Sequence, residues 1–307
     1  MNHPDRPTPA PRLTLLSIAG LVLVAFIWGS NFVVIKIGLA QFPPFLFAVL
    51  RFALASLPLL IFLPRPKTPW RWLVFGGLFI GVGQFGLLFL AMRSDISPGL
   101  ASLILQTQVF ITVLLAAVLF KERVSLISLA GLTIAALGLL IIIFHADKTV
   151  TAYGLMLSLL AAFFWSCGNI AVKCASRDAV EPIQMVAYMA WSSLFAVPPL
   201  LVIAWLLDGP VTIAHALSTA DWSGWAAVLW QSVGNTLFGY AIWNSMLSRY
   251  PVALVAPFAL LVPIFGMGSS ALLLHETFAD WKLMATALIL AGLSLNSLLP
   301  LFQRRFI

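Results

Sequence analysis

Residues 97–141, SPGLASLILQTQVFITVLLAAVLFKERVSLISLAGLTIAALGLLI, align without a gap to residues 251–295, PVALVAPFALLVPIFGMGSSALLLHETFADWKLMATALILAGLSL. The constant offset of 154 superposes Leu100 on Leu254, Glu122 on Glu276 and Gly138 on Gly292. Each copy holds two apolar runs of about 20 residues, and at about 1.5 Å of helical rise per residue such a run crosses a hydrocarbon core of roughly 30 Å. The chain therefore repeats itself, and the repeating unit is made of membrane-spanning helices.

Working outward, isolated charges and turn residues divide the remaining apolar sequence into further spans. The full set lies near 13–38, 43–63, 71–92, 97–120, 124–144, 152–174, 183–207, 222–247, 251–274 and 281–302. Only Gln41, Pro43 and Pro44 separate the first two, where proline favours a turn. A second echo supports the division: Trp28 is followed eight residues later by Lys36, and Trp165 eight residues later by Lys173. Each half then holds five spans, and an odd number makes the second copy enter the membrane from the opposite side. The expected architecture is an all-α integral membrane protein of ten transmembrane helices in two five-helix inverted-topology repeats, residues 13–146 and 150–302. A disordered tail, residues 1–12 with Pro4, Pro7, Pro9 and Pro11, precedes them. Inverted repeats are a common way to build a carrier that opens alternately to each side.

Composition agrees. Of 307 residues, 62% are hydrophobic and 9% charged, far below the roughly 25% charged content of soluble domains. The net charge of +7 is spread singly between apolar runs, which argues against nucleic acid as a partner and for charges that set topology. With the N-terminus inside, twelve Lys and Arg lie on the cytoplasmic side (Arg6, Arg12, Arg65, Lys67, Arg71, Lys121, Arg123, Lys173, Arg177, Arg249, Arg304 and Arg305) and four outside (Lys36, Arg93, Lys148 and Lys282). Both termini are expected in the cytoplasm, the lipid bilayer being the solvent in between. Cys167 and Cys174 stand seven residues apart on one run, about 10 Å along a helix, and indicate neither a disulfide nor a metal site.

The residues able to carry chemistry inside the membrane are neutral. All ten Asp and Glu, and His3, His145, His215 and His275, fall in the tail, in loops or at span ends. A membrane-embedded enzyme would need a cluster of Asp, His or Cys within the bilayer, and none is present, so no catalytic role is expected. The spans instead contain Asn31, Gln84, Gln106, Gln108, Asn169, Gln231, Asn235 and Asn244. Amides offer donors and acceptors together and suit a small zwitterion, although they also serve as hydrogen-bonded links between helices. On an ideal helix Gln106 and Gln108 point about 200° apart, so one is expected to face a pathway and the other a neighbouring helix. Arg51 lies eight residues inside the second span, either to bind a substrate carboxylate or to fix packing. Lys36 and Lys173 either guide a carboxylate or snorkel to the interface. Gly77 and Gly81 offer a close helix contact, Pro257 and Pro263 interrupt the ninth span, and most of the eleven tryptophans are expected to face lipid or the membrane interface.

These stretches also resemble a family. Trp28-Gly29-Ser30-Asn31, Leu50-Arg51-Phe52, Gln84-Phe85, and Pro98-Gly99-Leu100-Ala101-Ser102-Leu103 with Gln106, Gln108 and Glu122, are similar to the EamA family of the drug/metabolite transporter superfamily. The second half agrees at Cys167-Gly168-Asn169-Ile170, Gly239-Tyr240 and Leu260-Leu261-Val262-Pro263, so the likeness runs from about 13 to 298. Within that family the pattern is nearest to the bacterial exporters of O-acetylserine and cysteine. The resemblance implies an inner-membrane exporter of small amino-acid-like metabolites with no cofactor, and it supports Gln84, Gln106 and Gln108 as pathway residues. The clustering of polar groups in spans one, three, four and six extends the expected pathway to Asn31 and Asn169, with Trp28 and Trp165 as its walls and Arg51 as a further candidate. The resemblance departs where Glu122-Arg123 of the first half is matched by Glu276-Thr277 in the second. Other solutes such as nucleotide sugars, and a non-transporting receptor or scaffold, are the competing readings. The sequence leaves monomer and homodimer open, and also passive, exchange and proton-coupled flux.

Overall fold

The computed structural model describes residues 13–121, 124–145, 150–180, 183–250 and 252–303. The tail 1–12, Glu122, Arg123, Asp147, Lys148, Arg304 and Arg305 lie outside the described residues. The helices are α1 Leu15–Gln41, α2 Pro44–Leu60, α3 Trp70–Ser94, α4 Pro98–Phe120, α5 Leu126–Phe144, α6 Ala152–Arg177, α7 Met185–Asp208, α8 Pro210–Thr219, α9 residues 222–249, α10 residues 252–274 and α11 Asp280–Gln303. Among the described residues seven helices are long and apolar enough to cross a membrane, namely α1, α3, α4, α5, α6, α7 and the Pro257–Leu274 part of α10, and α2 is a shorter apolar helix. The protein is an all-helical, multi-pass membrane protein.

The helix ends follow from local chemistry. Thr14 caps α1 by accepting from the Ser17 amide at 3.2 Å. The prolines at 43 and 44 cannot continue α1, and Pro44 opens α2 from its first turn, where its missing N–H is no loss. One element is a surprise: α8 occupies a stretch read from sequence as a loop. Gly209, at φ +83°, turns the chain out of α7, and Pro210 then starts a helix too short to cross a bilayer.

Five helices depart from α geometry, α7 ending in a π turn over Ala204–Asp208. α3 is a π-helix over Gly77–Gly86 and α9 over Trp230–Phe238, while α4 tightens to 3₁₀ at Leu105–Thr107 and α10 at Ala256–Leu260. Lys121 and His275, related by the same offset of 154, both take left-handed backbone at φ 56° and 53°.

Packing pairs α1 with α10, α4 with α6, α2 with α7 and α5 with α11, while α3 lies on α6 and α7, and α9 on α1 and α2. Small residues make the close approaches possible. A methyl on Gly29 would fall 2.5 Å from the Val262 carbonyl and 2.8 Å from the Gly266 nitrogen, so α1 and α10 touch backbone to backbone. Gly77 and Gly81 meet the Ser192 carbonyl and Ala196 of α7 in the same way, the close contact their spacing suggested. Acids sit at helix starts, where unpaired N–H groups and the dipole favour them. The Asp208 carboxylate accepts from the Leu46 amide at 2.9 Å, and Glu276 accepts from the Gly99 amide at 3.1 Å and from the hydroxyls of Ser97 and Ser270. Glu276 therefore caps α4 without needing an arginine at 277. At the other end of the bundle Asp178 accepts from Arg177, Trp72 and Arg71, which holds its carboxyl down to about 2 and keeps this clip between α3 and α6 charged at neutral pH.

Replacing Gly29 with leucine should force α1 from α10 and cost about 1–3 kcal/mol or more. Its signature would be a lower melting temperature and yield of monodisperse protein in detergent, measured by fluorescence-detected size exclusion after heating.

Candidate functional site

A cavity of about 350 Å³ lies within the bundle, bordered by residues of α1, α2, α3, α4, α6, α7, α9 and α10. Trp28, Asn31, Gln84, Gln106, Gln108, Trp165 and Asn169 all line it. Arg51 does not. On α1, Trp28 and Asn31 are three residues apart, and on α6, Trp165 and Asn169 are four apart, so ordinary helical winding brings each pair to one face. The lining includes Gly76 and Met185 near the starts of α3 and α7, and Val172 and Trp243 near the ends of α6 and α9. The cavity thus extends toward the end of the bundle where α1 begins. The opposite end is filled by Phe42, Phe47 and Phe89, stacked at 6.1 and 4.9 Å between centroids.

Gln106 and Gln108 both border the cavity, against the expectation that only one would. The 3₁₀ turn at 105–107 winds about 120° per residue instead of 100°, which brings the two side chains closer in angle. Each also ties α4 to a neighbour. Gln106 Nε2 donates to the Ala259 carbonyl at 2.9 Å, to which Pro263, four residues on, has no N–H to give. Gln108 Oε1 accepts from Asn169 Nδ2 at 2.9 Å, joining α4 to α6. Gln84, 2% exposed within the π-helical part of α3, is different: its Oε1 has no partner among the described residues. A buried acceptor left bare in this way is costly unless something entering the cavity satisfies it.

Trp28 is fixed as a wall. Its Nε1 donates to the Asn235 carbonyl at 3.2 Å, its ring lies 5.2 Å from both Tyr240 and Trp243, and it rests on Gly239, where a methyl would fall 2.5 Å from Nε1. Tyr188, Tyr240 and Trp243 line the cavity too and were not singled out from sequence. The π-helix at 230–238 turns the face of α9, so no regular helical spacing announces Tyr240 and Trp243. Four of the eleven tryptophans, Trp70, Trp205, Trp222 and Trp225, are exposed, and the other seven are half-buried. Aromatic packing around the cavity and at helix contacts claims them.

Arg51 is 1% exposed. It donates to Gln231 Oε1 and, at 3.0 Å, to Thr236 Oγ1, both on α9, and its guanidinium carbon stands 3.6 Å from the centroid of Phe85. Lys36 Nζ donates to the carbonyls of Met92 and Arg93 at 3.3 and 3.2 Å, capping the C-terminal end of α3. Lys173 lies with Nζ 4.4 Å from the Phe120 ring centroid and lines a smaller recess shared with Asn169 and Thr112. The side chain of Asn244 lies outside the description. Among the described residues no group of His, Cys, Asp and Glu could hold a metal ion, and both cysteines are free thiols.

This arrangement, an uncharged amide and aromatic cavity at the meeting of two repeated halves, coincides with a family assignment. The description "EamA-like transporter family" matches residues 15–144 and again residues 152–298. The chain belongs to this family. It is thus a membrane transporter built from two copies of one unit. It is 42% identical over 277 residues to a Salmonella typhimurium protein named "Probable amino-acid metabolite efflux pump", covering 90% of this chain and 92% of that relative. An Escherichia coli protein of the same name is 40% identical over the same 277 residues and the same shares. A solved crystal structure with 22% sequence identity superposes with a TM-score of 0.60, covering 92% of this chain and 99% of the other, and shares the fold.

Gln84→Leu should reduce transport per folded molecule at least about tenfold, the size of one buried hydrogen bond to a charged group, while leaving membrane abundance near normal. Gln108→Leu should also loosen α4 from α6 and lower thermal stability, because Asn169 loses its acceptor; Gln84→Leu should not. Paired flux and melting measurements on purified protein check both.

Proposed function

We propose that this family member is a ten-helix exporter of small amino-acid-like metabolites, in particular cysteine, O-acetylserine or close analogues, in a bacterial inner membrane with both termini in the cytoplasm. The observation that carries this reading is the cavity itself. It offers amides and π faces, one bare acceptor at Gln84, and no acidic side chain among the residues lining it. Such a surface can hydrogen-bond a zwitterion without trapping it as an opposite full charge would. The two relatives named as efflux pumps support the solute class and the direction of transport.

The residues that form the pathway in this reading are Trp28, Asn31, Gln84, Gln106, Gln108, Trp165 and Asn169, with Arg51 behind the wall. Two five-helix repeats, 13–146 and 150–302, are supported by features that recur between the halves. The left-handed residues at 121 and 275, the π-helices of α3 and α9 and the 3₁₀ turns of α4 and α10 occupy matching places. Contacts agree as well: α1 on α10 answers α6 on α4, and α3 on α7 answers α9 on α2. An opposed orientation of the halves, with the basic bias placing the start of α1 inside, makes the cavity one that faces the cytoplasm.

Cells overproducing the protein should release more cysteine or O-acetylserine and tolerate excess cysteine better; vesicles that carry only cationic dyes or nucleotide sugars would overturn the assignment. For orientation, reporter fusions after Asp147 should read outside and those after Arg249 inside. A cytoplasmic signal after Asp147 would refute the inverted arrangement.

A further inference from the structure

Arg51 does not touch the cavity, yet a directed chain of hydrogen bonds leads from it to a residue that does. A guanidinium has donors only, so Gln231 must turn its oxygen to Arg51. That choice aims Gln231 Nε2 the other way, and it donates to Asn31 Oδ1 at 2.8 Å. With its oxygen occupied, Asn31 keeps its amide nitrogen as its free face. One N–H reaches back weakly to Gln231 at 3.5 Å, and the other is the group left for the cavity that Asn31 lines. Gln231 is fully buried and Asn31 is 4% exposed, so water does not scramble the polarity of the chain.

Charge reinforces direction. Among the described residues no carboxylate pairs with Arg51, and its guanidinium lies behind the ring of Phe85, which also lines the cavity. The wall formed by Asn31 and Phe85 therefore faces the cavity with a donor and a positive potential. Gln84, next to Phe85 on α3, also borders the cavity and has a buried Oε1 without a partner among the described residues.

We propose that Arg51 is a positioning residue that, acting through Gln231, fixes the Asn31 amide as a hydrogen-bond donor and makes this wall the subsite for the carboxylate of the transported solute. The proposal rests on the reading of the cavity as the solute pathway and deepens it: the solute must carry a carboxylate, held at Asn31. Thr236 and the carbonyl of Arg51, which accepts from Ser232 Oγ at 2.9 Å, hold the relay in register between α2 and α9.

The test is competition in proteoliposomes holding the full-length protein. Uptake of labelled O-acetylserine is inhibited with unlabelled O-acetylserine or with its methyl ester, which lacks only the carboxylate charge. The wild type should prefer the acid by about tenfold or more, the range of a charge-assisted hydrogen bond. Gln231→Glu is the decisive variant. It is nearly isosteric and can pair with Arg51, which favours folding, but it neutralises the charge and removes the N–H that holds Asn31. The preference should fall to near unity, chiefly through KM, with kcat less affected. Arg51→Met should do the same where it folds, and Arg51→Lys, which keeps charge but not the fork, should restore part of the preference. A lower rate in Gln231→Glu with the acid-to-ester ratio unchanged would show a merely structural role and overturn the relay. Absence of wild-type flux would instead overturn the exporter reading. The relay would then be judged on the same acid and ester by thermal stabilisation of the detergent-solubilised wild type and Gln231→Glu, a shift for the acid that ignores the substitution, or no shift at all, counting against it.

Discussion

A hydrocarbon interior supplies no water to bond a peptide group, so backbone at membrane depth must satisfy itself or be covered by protein. This chain obeys the constraint nearly everywhere by being helical, and departs from α geometry at five places: the π segments of α3, α7 and α9 and the 3₁₀ turns of α4 and α10. All but the α7 segment supply residues that line the cavity, among them Gln84, Asn235, Gln106 and Ala259. Most of the irregular backbone thus lies where neighbouring helices or a polar cavity can absorb it. The carbonyl of Ala259, to which Pro263 offers no N–H and Gln106 donates one, shows how a side chain joins this bonding at one atom.

The same constraint explains the pattern of polar side chains. Ionised groups in hydrocarbon are costly, and the acids have been moved to helix starts, where Asp208 and Glu276 do capping work at little desolvation. What remains in the middle is largely amide: Gln108 pairs with Asn169 and Gln231 with Asn31, while Gln106 bonds the Ala259 carbonyl and Gln84 Oε1 stays without a partner. Arg51 is the exception, and its surroundings fit a cation that cannot shed its proton: two side-chain acceptors and two aromatic faces, Phe85 and Phe52. A buried guanidinium of this kind gives polarity to the amides around it, something no neutral network fixes by itself.

Close packing and open space divide the bundle along its axis. At the end where α1 finishes, phenylalanine rings and the Lys36 cap on α3 fill the interior. At the end where it begins, aromatic side chains stand apart around the cavity.

Much of this was legible in the chain itself. Long apolar runs, the offset of 154 and the scatter of single charges determine an all-helical membrane protein with an internal repeat, because lipid imposes those features on any sequence that spans it. The amides bordering the cavity could also be named, since polar residues inside apolar runs are few and stand out. Tertiary structure alone decided the rest. Gln106 and Gln108 share the cavity only because the helix tightens between them. Tyr240 and Trp243 reach it only because a π turn rotates α9. Arg51 had two equal readings until its partners on α9 and the ring of Phe85 were known. A sequence records which groups cannot be left in lipid; where each finds its partner depends on residues some 180 positions away, brought together only when the helices pack.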